Sequence, residues 1–206
     1  MRVLVACEFS GIVRRAFRDR GHDAWSCDLL PAEDGSAYHY QCDVRDILHE
    51  MWDLLIAHPP CTRLANSGVR WLHTPPLGRT REEMWRELEE GAALFSALWN
   101  ANHITRRCIE NPVMHRHAKR LISGYVEPAQ TVQPWQFGDA QSKRTCLWLH
   151  NLQPLRHTKV LMPPPSGSAE RRRWERVHRM PPSPDRSKER SRFFPGIAAA
   201  MAEQWM

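Results

Sequence analysis

The stretch DLLIAHPPC, residues 53–61, is an apolar run that ends abruptly in two prolines and a cysteine. Its four apolar residues, 54–57, have the length of a fully buried parallel strand. Pro59 and Pro60 cannot donate to a sheet ladder, so the chain must turn there. We therefore predict that Cys61 lies on a loop at the carboxyl end of a strand, the edge where open α/β sheets bind ligands. There it is either a nucleophile in a positive neighbourhood or a small buried hydrophobe.

Strand and helix patterns alternate on both sides of this stretch. Short apolar runs predict strands at 3–6, 24–27, 38–42, 104–109 and 145–149. Helical spacing predicts a helix at 12–20, ended by Gly21, and a long amphipathic helix that begins at a capping box of Thr80 and Glu83. This alternation predicts an α/β fold in which helices flank a mostly parallel sheet and the connections are right-handed crossovers.

Length and composition limit the class of protein. A chain of 206 residues with 42% hydrophobic residues suits one domain with a modest appendage. Its longest apolar runs are far too short to span a bilayer and no signal-peptide pattern opens the chain, so we expect a soluble, cytoplasmic protein without a membrane partner. The six cysteines are scattered singly rather than in Cys-x-x-Cys pairs, which predicts reduced thiols and no metal site.

The net charge of +6 is unevenly distributed along the chain. Residues 166–192 contain nine Lys or Arg and four Asp or Glu, so most of the positive charge resides in this segment. A compact run of cations suits a phosphate backbone, from which Lys and Arg release condensed counterions. The segment therefore predicts contact with nucleic acid, with a solvated and partly disordered tail as the alternative. The contact residues that we predict are Arg171, Arg172, Arg173 and Arg176.

Polar and reactive residues follow several of the predicted strands. Because the carboxyl ends of parallel strands meet at one edge of a sheet, a single cleft can gather these residues. An acid after the second strand and another after the third suit a nucleoside cofactor, since a carboxylate accepts hydrogen bonds from ribose hydroxyls or an adenine amino group. Each acid can equally be a helix cap or a turn residue. The residues concerned are Phe9, Ser10, Gly11, Asp28, Asp43, Cys61 and Glu110.

The order of these motifs resembles that of the cytosine-5 DNA methyltransferases. Pro59-Pro-Cys61 is similar to the Pro-Cys nucleophile loop of that family, and Glu110-Asn111 is similar to its Glu-Asn-Val element. The resemblance implies the Rossmann-like fold of methyltransferases that use S-adenosyl-L-methionine (SAM), SAM as the cofactor with Pro59 beside it, and double-stranded DNA as the partner. The remaining matches are Phe9-Ser10-Gly11 with the cofactor loop, Asp28 with the ribose-binding acid, Asp43 with the adenine-contacting acid, Gln141-Ser-Lys-Arg144 with the Gln-x-Arg-x-Arg element, and residues 194–201 with the closing loop and helix.

The chain departs from the pattern of this family at several positions. Ile12, Val13 and Arg14 follow the cofactor loop where the family has small residues, and His58 replaces a small residue before the prolines. Residues 151–192 are short for a target-recognition domain, so we expect limited sequence specificity, as in the compact enzymes of phage and prophage type. Pro112 stands where the family has Val, Lys143 and Thr145 stand where it has arginines, and Phe193-Phe-Pro-Gly196 stands where it has a Gly-Asn motif.

The resemblance implies a role for each residue of the catalytic set. A Cys61 thiolate would add to carbon 6 of cytosine and make carbon 5 nucleophilic. Glu110 would hydrogen-bond or protonate N3 of the ring, and Asn111 would hold the loop. A cation near the cysteine favours both the thiolate and the adduct, and either Lys143 or Arg144 can supply it. No step of this chemistry needs a metal ion.

A stacked base cannot reach such a pocket, so the target nucleotide must be flipped out of the duplex. The loop 62–72 is placed to close over the flipped base, and Ser67 and Gly68 predict that this loop is mobile. The DNA contacts predicted in the loop are Arg63 and Arg70 to phosphates and Trp71 as a wedge or stacking surface, with simple packing of the loop as the alternative for Trp71.

The sequence thus predicts three parts: a catalytic core at 1–150, a basic DNA-contact segment at 151–192, and a C-terminal helix at 193–206 that packs on the core. The function that it favours is SAM-dependent cytosine-5 methylation of DNA. Two alternatives stay open. One is a pyrimidine C5-modifying enzyme that uses another substrate or one-carbon donor, and the other is a non-catalytic DNA-binding protein with the methyltransferase fold.

Overall fold

The computed structural model describes residues 1–181, 183 and 186–206, and its centre is a seven-stranded sheet. The strand order is β3-β2-β1-β4-β5-β7-β6, and β1 to β5 are parallel to one another. This confirms the predicted Rossmann-like α/β architecture with a mostly parallel sheet. The strands are β1 (Arg2–Ala6), β2 (Asp23–Asp28), β3 (His39–Gln41), β4 (Leu54–Ala57), β5 (Arg106–Asn111), β6 (Gln130–Val132) and β7 (Thr145–His150).

One strand runs against the others. β7 is antiparallel both to β5 and to β6, a reversal that the alternation of strands and helices did not predict. It is possible because antiparallel neighbours need no helical crossover, and residues 133–144 connect β6 to β7 through a short 3₁₀ turn. β6 itself was missed because three residues are too few to show a hydrophobic period.

Three predicted boundaries are also corrected. β5 begins at Arg106 rather than at residue 104, because Ile104 instead fills a turn in which its N–H donates to Ala101 O at 3.0 Å. Glu110 and Asn111 are therefore the last two residues of the strand and do not follow it. The first helix ends at Arg18, two residues before the predicted end.

Helices cover both faces of the sheet. α2 and α3 share one hydrophobic core with the sheet, and α1 and α7 share the second core on the opposite face. The predicted capping box of Thr80 and Glu83 is confirmed at the start of α2. Among the described residues, no helix combines the length and the apolar character that crossing a bilayer requires. The helices are α1 (Ile12–Arg18), α2 (Arg81–Trp99), α3 (Arg116–Leu121), α4 (Ala169–Trp174), α5 (Arg176–Arg179), α6 (Arg186–Ser191) and α7 (Pro195–Gln204).

The strand before the two prolines is buried along its whole length. β4 pairs with β1 on one side and with β5 on the other. Leu55 and Ala57 face the core under α2, whereas Leu54 and Ile56 face the core under α1 and α7. Burial on both faces explains the continuous apolar run, so the predicted strand is confirmed. Its end brings Cys61 to the carboxyl edge of the sheet.

A buried arginine joins α1 to the connection between β2 and β3. Arg14 is 1% exposed, and its guanidinium donates to Ser26 Oγ at 2.9 Å and to the carboxylate of Asp34. Arg15 donates to the same carboxylate at 2.7 Å. Burial alone would raise the pKa of Asp34, but the hydrogen bonds from both arginines outweigh it and lower the pKa to about 2. This ion pair holds the connection against the start of α1.

We predict that Asp34→Asn lowers the free energy of unfolding at neutral pH by about 2 kcal/mol, because it leaves the buried Arg14 guanidinium without a counter-charge. The pKa of Asp34 is lower in the folded state than in the unfolded chain. Its contribution is therefore complete above about pH 4 and is lost as the pH falls toward 2. Thermal unfolding measured from neutral to acid pH should show a difference between wild type and variant that shrinks on acidification.

The control is Asp46→Asn, at an exposed position, which should leave the unfolding temperature nearly unchanged at every pH. A difference between Asp34→Asn and wild type that does not depend on pH would contradict the role of the ion pair.

Candidate active site

The turn after β4 is anchored to the chain that follows β5. The carbonyl oxygen of Cys61 accepts hydrogen bonds from the backbone N–H groups of Leu64 at 3.1 Å and Ala65 at 2.9 Å, which closes a tight turn. The N–H of Asn66 then donates to Val113 O at 3.0 Å. Cys61 is therefore held next to the end of β5, and its side chain is partly buried.

Two side chains hold the carbonyls on either side of Cys61. Asn111 Nδ2 donates to the buried carbonyl oxygen of Pro59 at 2.8 Å, which is the contact that its predicted role requires. His115 Nε2 donates to Arg63 O at 2.6 Å, while its Nδ1 accepts from the N–H of Ala118 at 3.1 Å and caps α3. The sequence did not single out His115, because a lone histidine before a short helix signals nothing beyond a cap.

Glu110 is a buried carboxylate with polar neighbours on three sides. Its Oε2 lies 3.3 Å from His58 Nδ1, and its Oε1 accepts a hydrogen bond from Thr145 on β7. Burial alone would raise the pKa of Glu110, but the hydrogen bond from His58 and the charge of Lys143 lower it to about 2. Glu110 is therefore an ionised hydrogen-bond acceptor at neutral pH.

The thiol of Cys61 lies between charges of both signs. Burial raises its pKa above the ordinary value for cysteine, and the negative charge of Glu110 raises it further. Lys143 and Arg190 act in the opposite direction, because a positive charge favours the thiolate. The thiol is thus mostly protonated at neutral pH, and any change that neutralises Glu110 favours its ionisation.

The structure distinguishes the two cations that precede β7. Lys143 is partly buried, and its Nζ donates to Arg190 O at 3.0 Å. Its charge acts on both Cys61 and Glu110. Arg144 is exposed, and its charge acts on Cys146. The geometry therefore favours Lys143 over Arg144 as the cation beside the thiol.

The segment after Cys61 is packed more tightly than its sequence indicates. Asn66–Leu72 form a 3₁₀ helix in which Gly68 is buried. A Cβ atom at Gly68 would clash with the carbonyl oxygen of Thr62, the residue next to Cys61. Glycine is needed there because two backbone segments approach closely, which is a different reason for Gly68 from the loop mobility that the sequence predicts.

The three DNA contacts predicted in this loop differ in their surroundings. Arg63 Nε donates to the carboxylate of Glu87 on α2 at 2.6 Å. Its guanidinium is thus engaged in an ion pair, whereas the predicted phosphate contact requires a free one. Arg70 is exposed, and its guanidinium lies 4.1 Å from the centre of the Trp71 ring. Trp71 is partly buried and packs against the core under α2. Arg70 is thus the residue of the three with a charge available at the surface.

In the connection between β1 and α1, polar side chains pair with the N–H groups at the start of the helix. The buried carboxylate of Glu8 accepts hydrogen bonds from the N–H groups of Val13 at 2.7 Å and Arg14 at 3.2 Å. The N–H of Ile12 lies 3.5 Å from Ser10 Oγ. The first three N–H groups of α1 therefore have partners within the chain. A dinucleotide-binding fold uses such groups for a pyrophosphate, and here the carboxylate of Glu8 takes that place.

The two other residues of the predicted cofactor loop lie at the bend of this connection. Phe9 is buried, and the Nζ of Lys188 on α6 lies 5.3 Å from the centre of its ring. Gly11 has a φ of 67°, which glycine adopts without strain. A Cβ atom at Gly11 would clash with the guanidinium of Arg14. The large residue that departs from the family pattern is thus accommodated inside the fold.

The predicted cofactor acids lie at the same edge, and each also caps a turn. Asp28 Oδ1 accepts from the N–H of Leu30 at 2.9 Å, and burial raises the pKa of Asp28. Both oxygens of Asp43 accept from Arg45, which lowers the pKa of Asp43 and leaves Asp28 with the greater capacity for a ligand. Cys7 lies beside both acids, and burial together with their charges raises its pKa to about 12. Within the described ranges, no group of three or more His, Cys, Asp or Glu is arranged to hold a metal ion.

The basic segment contains three short helices, α4 to α6, and its positions 182, 184 and 185 lie outside the described residues. Glu175 pairs with Arg171 at 3.0 Å and with Arg179 at 2.7 Å, so the charge of Arg171 is partly neutralised. The other three predicted DNA contacts border a surface cavity of about 560 Å³. This cavity is lined by Arg172, Arg173, Arg176, Arg179, Met180 and Pro181.

The last helix of this segment contacts both halves of the candidate site. Glu33, in the connection between β2 and β3, pairs with Arg192 and, at 3.7 Å, with Lys188. The carbonyl of Arg190 accepts the hydrogen bond from Lys143. α6 therefore lies at the carboxyl edge of the sheet, between the predicted cofactor loop and the cation beside Cys61.

No protein-family model and no curated protein matches this chain. Among solved structures, it is similar to a protein described as a DNA modification methyltransferase encoded within a prophage of E. coli, with 17% sequence identity and a TM-score of 0.43 over 71% of this chain and 45% of that one. It is also similar to the methyltransferase EhMeth of Entamoeba histolytica, with 14% identity and a TM-score of 0.46 over 78% of this chain and 57% of that one. The chain thus spans about half the length of these proteins.

We predict that Lys143→Met slows the alkylation of Cys61 by iodoacetamide. The substitution removes a charge that favours the thiolate, so the pKa of Cys61 rises further and the rate near pH 8.5 falls by about threefold or more. Mass spectrometry of the Cys61 peptide measures this rate separately from those of the other cysteines. Arg144→Met is the matched control and should leave the rate unchanged. Equal slowing by both substitutions would contradict the assignment of Lys143.

Proposed function

We propose that this chain catalyses SAM-dependent methylation of DNA at carbon 5 of cytosine, with Cys61 as the nucleophile. The observation that carries the proposal is the meeting of a thiol, a buried carboxylate and a cation, each from a different element, at the carboxyl edge of the sheet. They are Cys61 after β4, Glu110 at the end of β5 and Lys143 before β7. Together they supply the nucleophile, the partner for the ring nitrogen and the balancing charge that the reaction needs.

Each of these residues acts at a defined atom of the base. Carbon 5 of cytosine is a poor nucleophile until a thiolate adds to carbon 6. Lys143 favours the thiolate of Cys61, and its addition makes carbon 5 electron-rich. Negative charge develops at N3, and Glu110 is placed to pass a proton to that nitrogen. After carbon 5 has been methylated and has lost its proton to water, the Cys61 thiolate leaves.

SAM supplies an electrophilic methyl group when it is bound. The residues that would hold it lie at the ends of β1 and β2, where Asp28 has capacity for the ribose hydroxyls. The closed first turn of α1 supports a cofactor without phosphates, because Glu8 already accepts from the N–H groups that a pyrophosphate would need. The carboxylates of Glu8, Asp28 and Asp43 also suit a cofactor with a positive charge.

The proposed substrate is duplex DNA with its target base flipped out. Cys61 is partly buried, so a base within a stack could not reach it. The cavity with Arg172, Arg173 and Arg176 on its wall and the exposed Arg70 are suited to phosphates. This distribution of charge favours a polyanion over a free nucleotide as the substrate.

One observation favours a second candidate function. Ile12, Val13 and Arg14 replace the small residues of the family, and the guanidinium of Arg14 packs against Gly11. A cofactor loop filled in this way suits a pyrimidine C5-modifying enzyme that keeps the Cys61 chemistry but uses another one-carbon donor.

We predict that duplex DNA containing 5-fluorocytosine becomes covalently attached to the wild-type chain in the presence of SAM, because fluorine cannot leave as a proton does. Denaturing gel electrophoresis detects the attached DNA. Cys61→Ser should abolish the attachment while DNA binding is kept. The control is Cys146→Ser, because the sulfur of Cys146 faces Thr131; this variant should still form the covalent attachment.

The other outcomes of this experiment separate the alternatives. Attachment that needs a donor other than SAM would support the second candidate. A further outcome is a protein that is folded and binds DNA but forms no adduct with any of a varied set of DNA sequences. That result would contradict the enzymatic proposal and favour a non-catalytic DNA-binding protein.

We predict that changing Arg172 and Arg176 together to Ala weakens DNA binding and lowers the slope of log K against log salt concentration by about 2, since each lost phosphate contact removes about 0.9. Binding isotherms at several salt concentrations measure this slope. The matched control changes Arg20 and Arg156, two exposed arginines away from the cavity, and should leave the slope unchanged. Equal slopes for wild type and both variants would show that the cavity does not contact DNA.

A further inference from the structure

His58, the residue before the two prolines, is fixed against Glu110 in the interior of the site. Its Nδ1 lies 3.3 Å from Glu110 Oε2, and the two side chains are 7% and 10% exposed. The backbone N–H of His58 donates to Ala6 O at 2.9 Å, and the imidazole packs on Phe193 with 4.5 Å between ring centres. The position of the imidazole is thus set by a strand, a carboxylate and an aromatic ring.

The second nitrogen of this imidazole is unpaired. His58 Nε2 is buried and finds no hydrogen-bond partner among the residues that the structure describes. Because the Nδ1 proton points to Glu110, Nε2 is a bare acceptor in the neutral ring and a donor in the imidazolium. Buried polar atoms are nearly always paired, so this nitrogen is placed to meet water or a ligand. A titratable ring held in this way can take up a proton and pass it to Glu110.

Several charged groups from other elements face the pair. Lys143 acts on both Glu110 and Cys61, and Arg190 on α6 acts on Cys61. His178 on α5 is within range of both cations. Burial would raise the pKa of Glu110, but the hydrogen bond from His58 and the charge of Lys143 lower it to about 2, so the carboxylate carries no proton at neutral pH. Addition of a thiolate to cytosine nevertheless places a proton on N3, and that proton must come from a neighbouring acid.

We propose that His58 is a positioning residue that stores the proton which Glu110 delivers to N3 of the base, a role that rests on the proposed function. As the bond between Cys61 Sγ and carbon 6 forms, the C5=C6 π pair moves to the C4–C5 bond and the C4=N3 π pair moves to N3. Glu110 receives the Nδ1 proton of the His58 imidazolium and passes it on to N3, so the carboxylate is unprotonated before and after the step. One proton moves in total, and it returns to the pair when these shifts reverse and the thiolate leaves.

The variant that tests this role is His58→Asn. The asparagine amide places an N–H donor near the position of Nδ1, so the hydrogen bond to Glu110 is kept, but the amide cannot hold a second proton. The measurement is the rate of adduct formation with 5-fluorocytosine DNA and SAM, in a single turnover, from about pH 6 to pH 10.

The wild-type rate is expected to follow a bell, rising as Cys61 forms its thiolate and falling as the pair of His58 and Glu110 loses its proton. His58→Asn is expected to react about 100-fold more slowly and to keep the rising limb alone. A His58→Asn variant with the wild-type bell would show that His58 merely packs the site, and would overturn the inference.

Thr145→Val is the matched control, because it removes the other hydrogen bond to Glu110 without removing a titrating group. It should slow the reaction but keep both limbs of the bell. Loss of the falling limb in both variants would assign that limb to Glu110 alone and overturn the role of His58.

Two further outcomes keep the inference separate from the proposed function. A wild-type chain that forms no adduct overturns both. If His58→Asn does not fold, the ¹⁵N NMR titration of His58 in the wild-type chain replaces it, and its midpoint must coincide with the falling limb of the wild-type rate. A midpoint that differs from this limb overturns the inference while the adduct still supports the proposed function.

Discussion

The absence of N–H donors at Pro59 and Pro60 is the constraint on which the candidate site depends. Neither residue can extend the ladder of a central strand, so β4 must end, although β5 continues beside it through Glu110 and Asn111. The carbonyl of Pro59 is then free to accept from Asn111, the last residue of β5. This bond ties the turn that carries Cys61 to the neighbouring strand. The same geometry leaves Glu110, one residue earlier, beside the thiol.

The thiol of Cys61 and the carboxylate of Glu110 lie next to each other at this edge, and the negative charge of Glu110 disfavours ionisation of the thiol. The carboxylate of Glu110 raises the pKa of Cys61, and burial raises it too. Three groups from different elements favour the charged forms. Lys143 and Arg190 lower the pKa of Cys61, and His58 and Lys143 lower the pKa of Glu110. A proton or a ligand that neutralises Glu110 would therefore favour the Cys61 thiolate. The chemistry of this site depends on the protonation of the whole group rather than on the cysteine alone.

The other half of the edge is organised around carboxylates. Glu8 caps the start of α1 from within the fold, and Arg14 and Asp34 close the connection beside it. An internal carboxylate at a helix N-terminus excludes a bound phosphate from the same groups. This arrangement separates the chain from dinucleotide-binding folds, which share the order of β3-β2-β1-β4-β5. It leaves the end of β2 as the part with capacity for a ligand.

The sequence by itself determined the elements whose signals are local. The apolar run before two prolines defined β4, and Thr80 with Glu83 defined the start of α2, because strand burial and helix capping depend on residues a few positions apart. It also grouped the polar residues at strand ends, since the carboxyl ends of parallel strands share one edge. Pairings across long separations were decided by the tertiary structure alone. Examples are the reversal of β7, the ion pair of Arg63 with Glu87, the placement of Lys143 rather than Arg144 beside Cys61, and the contact of His58 with Glu110, 52 residues apart. These depend on which side chains the packed sheet brings within a few ångströms, and no local pattern of residues encodes such a distance.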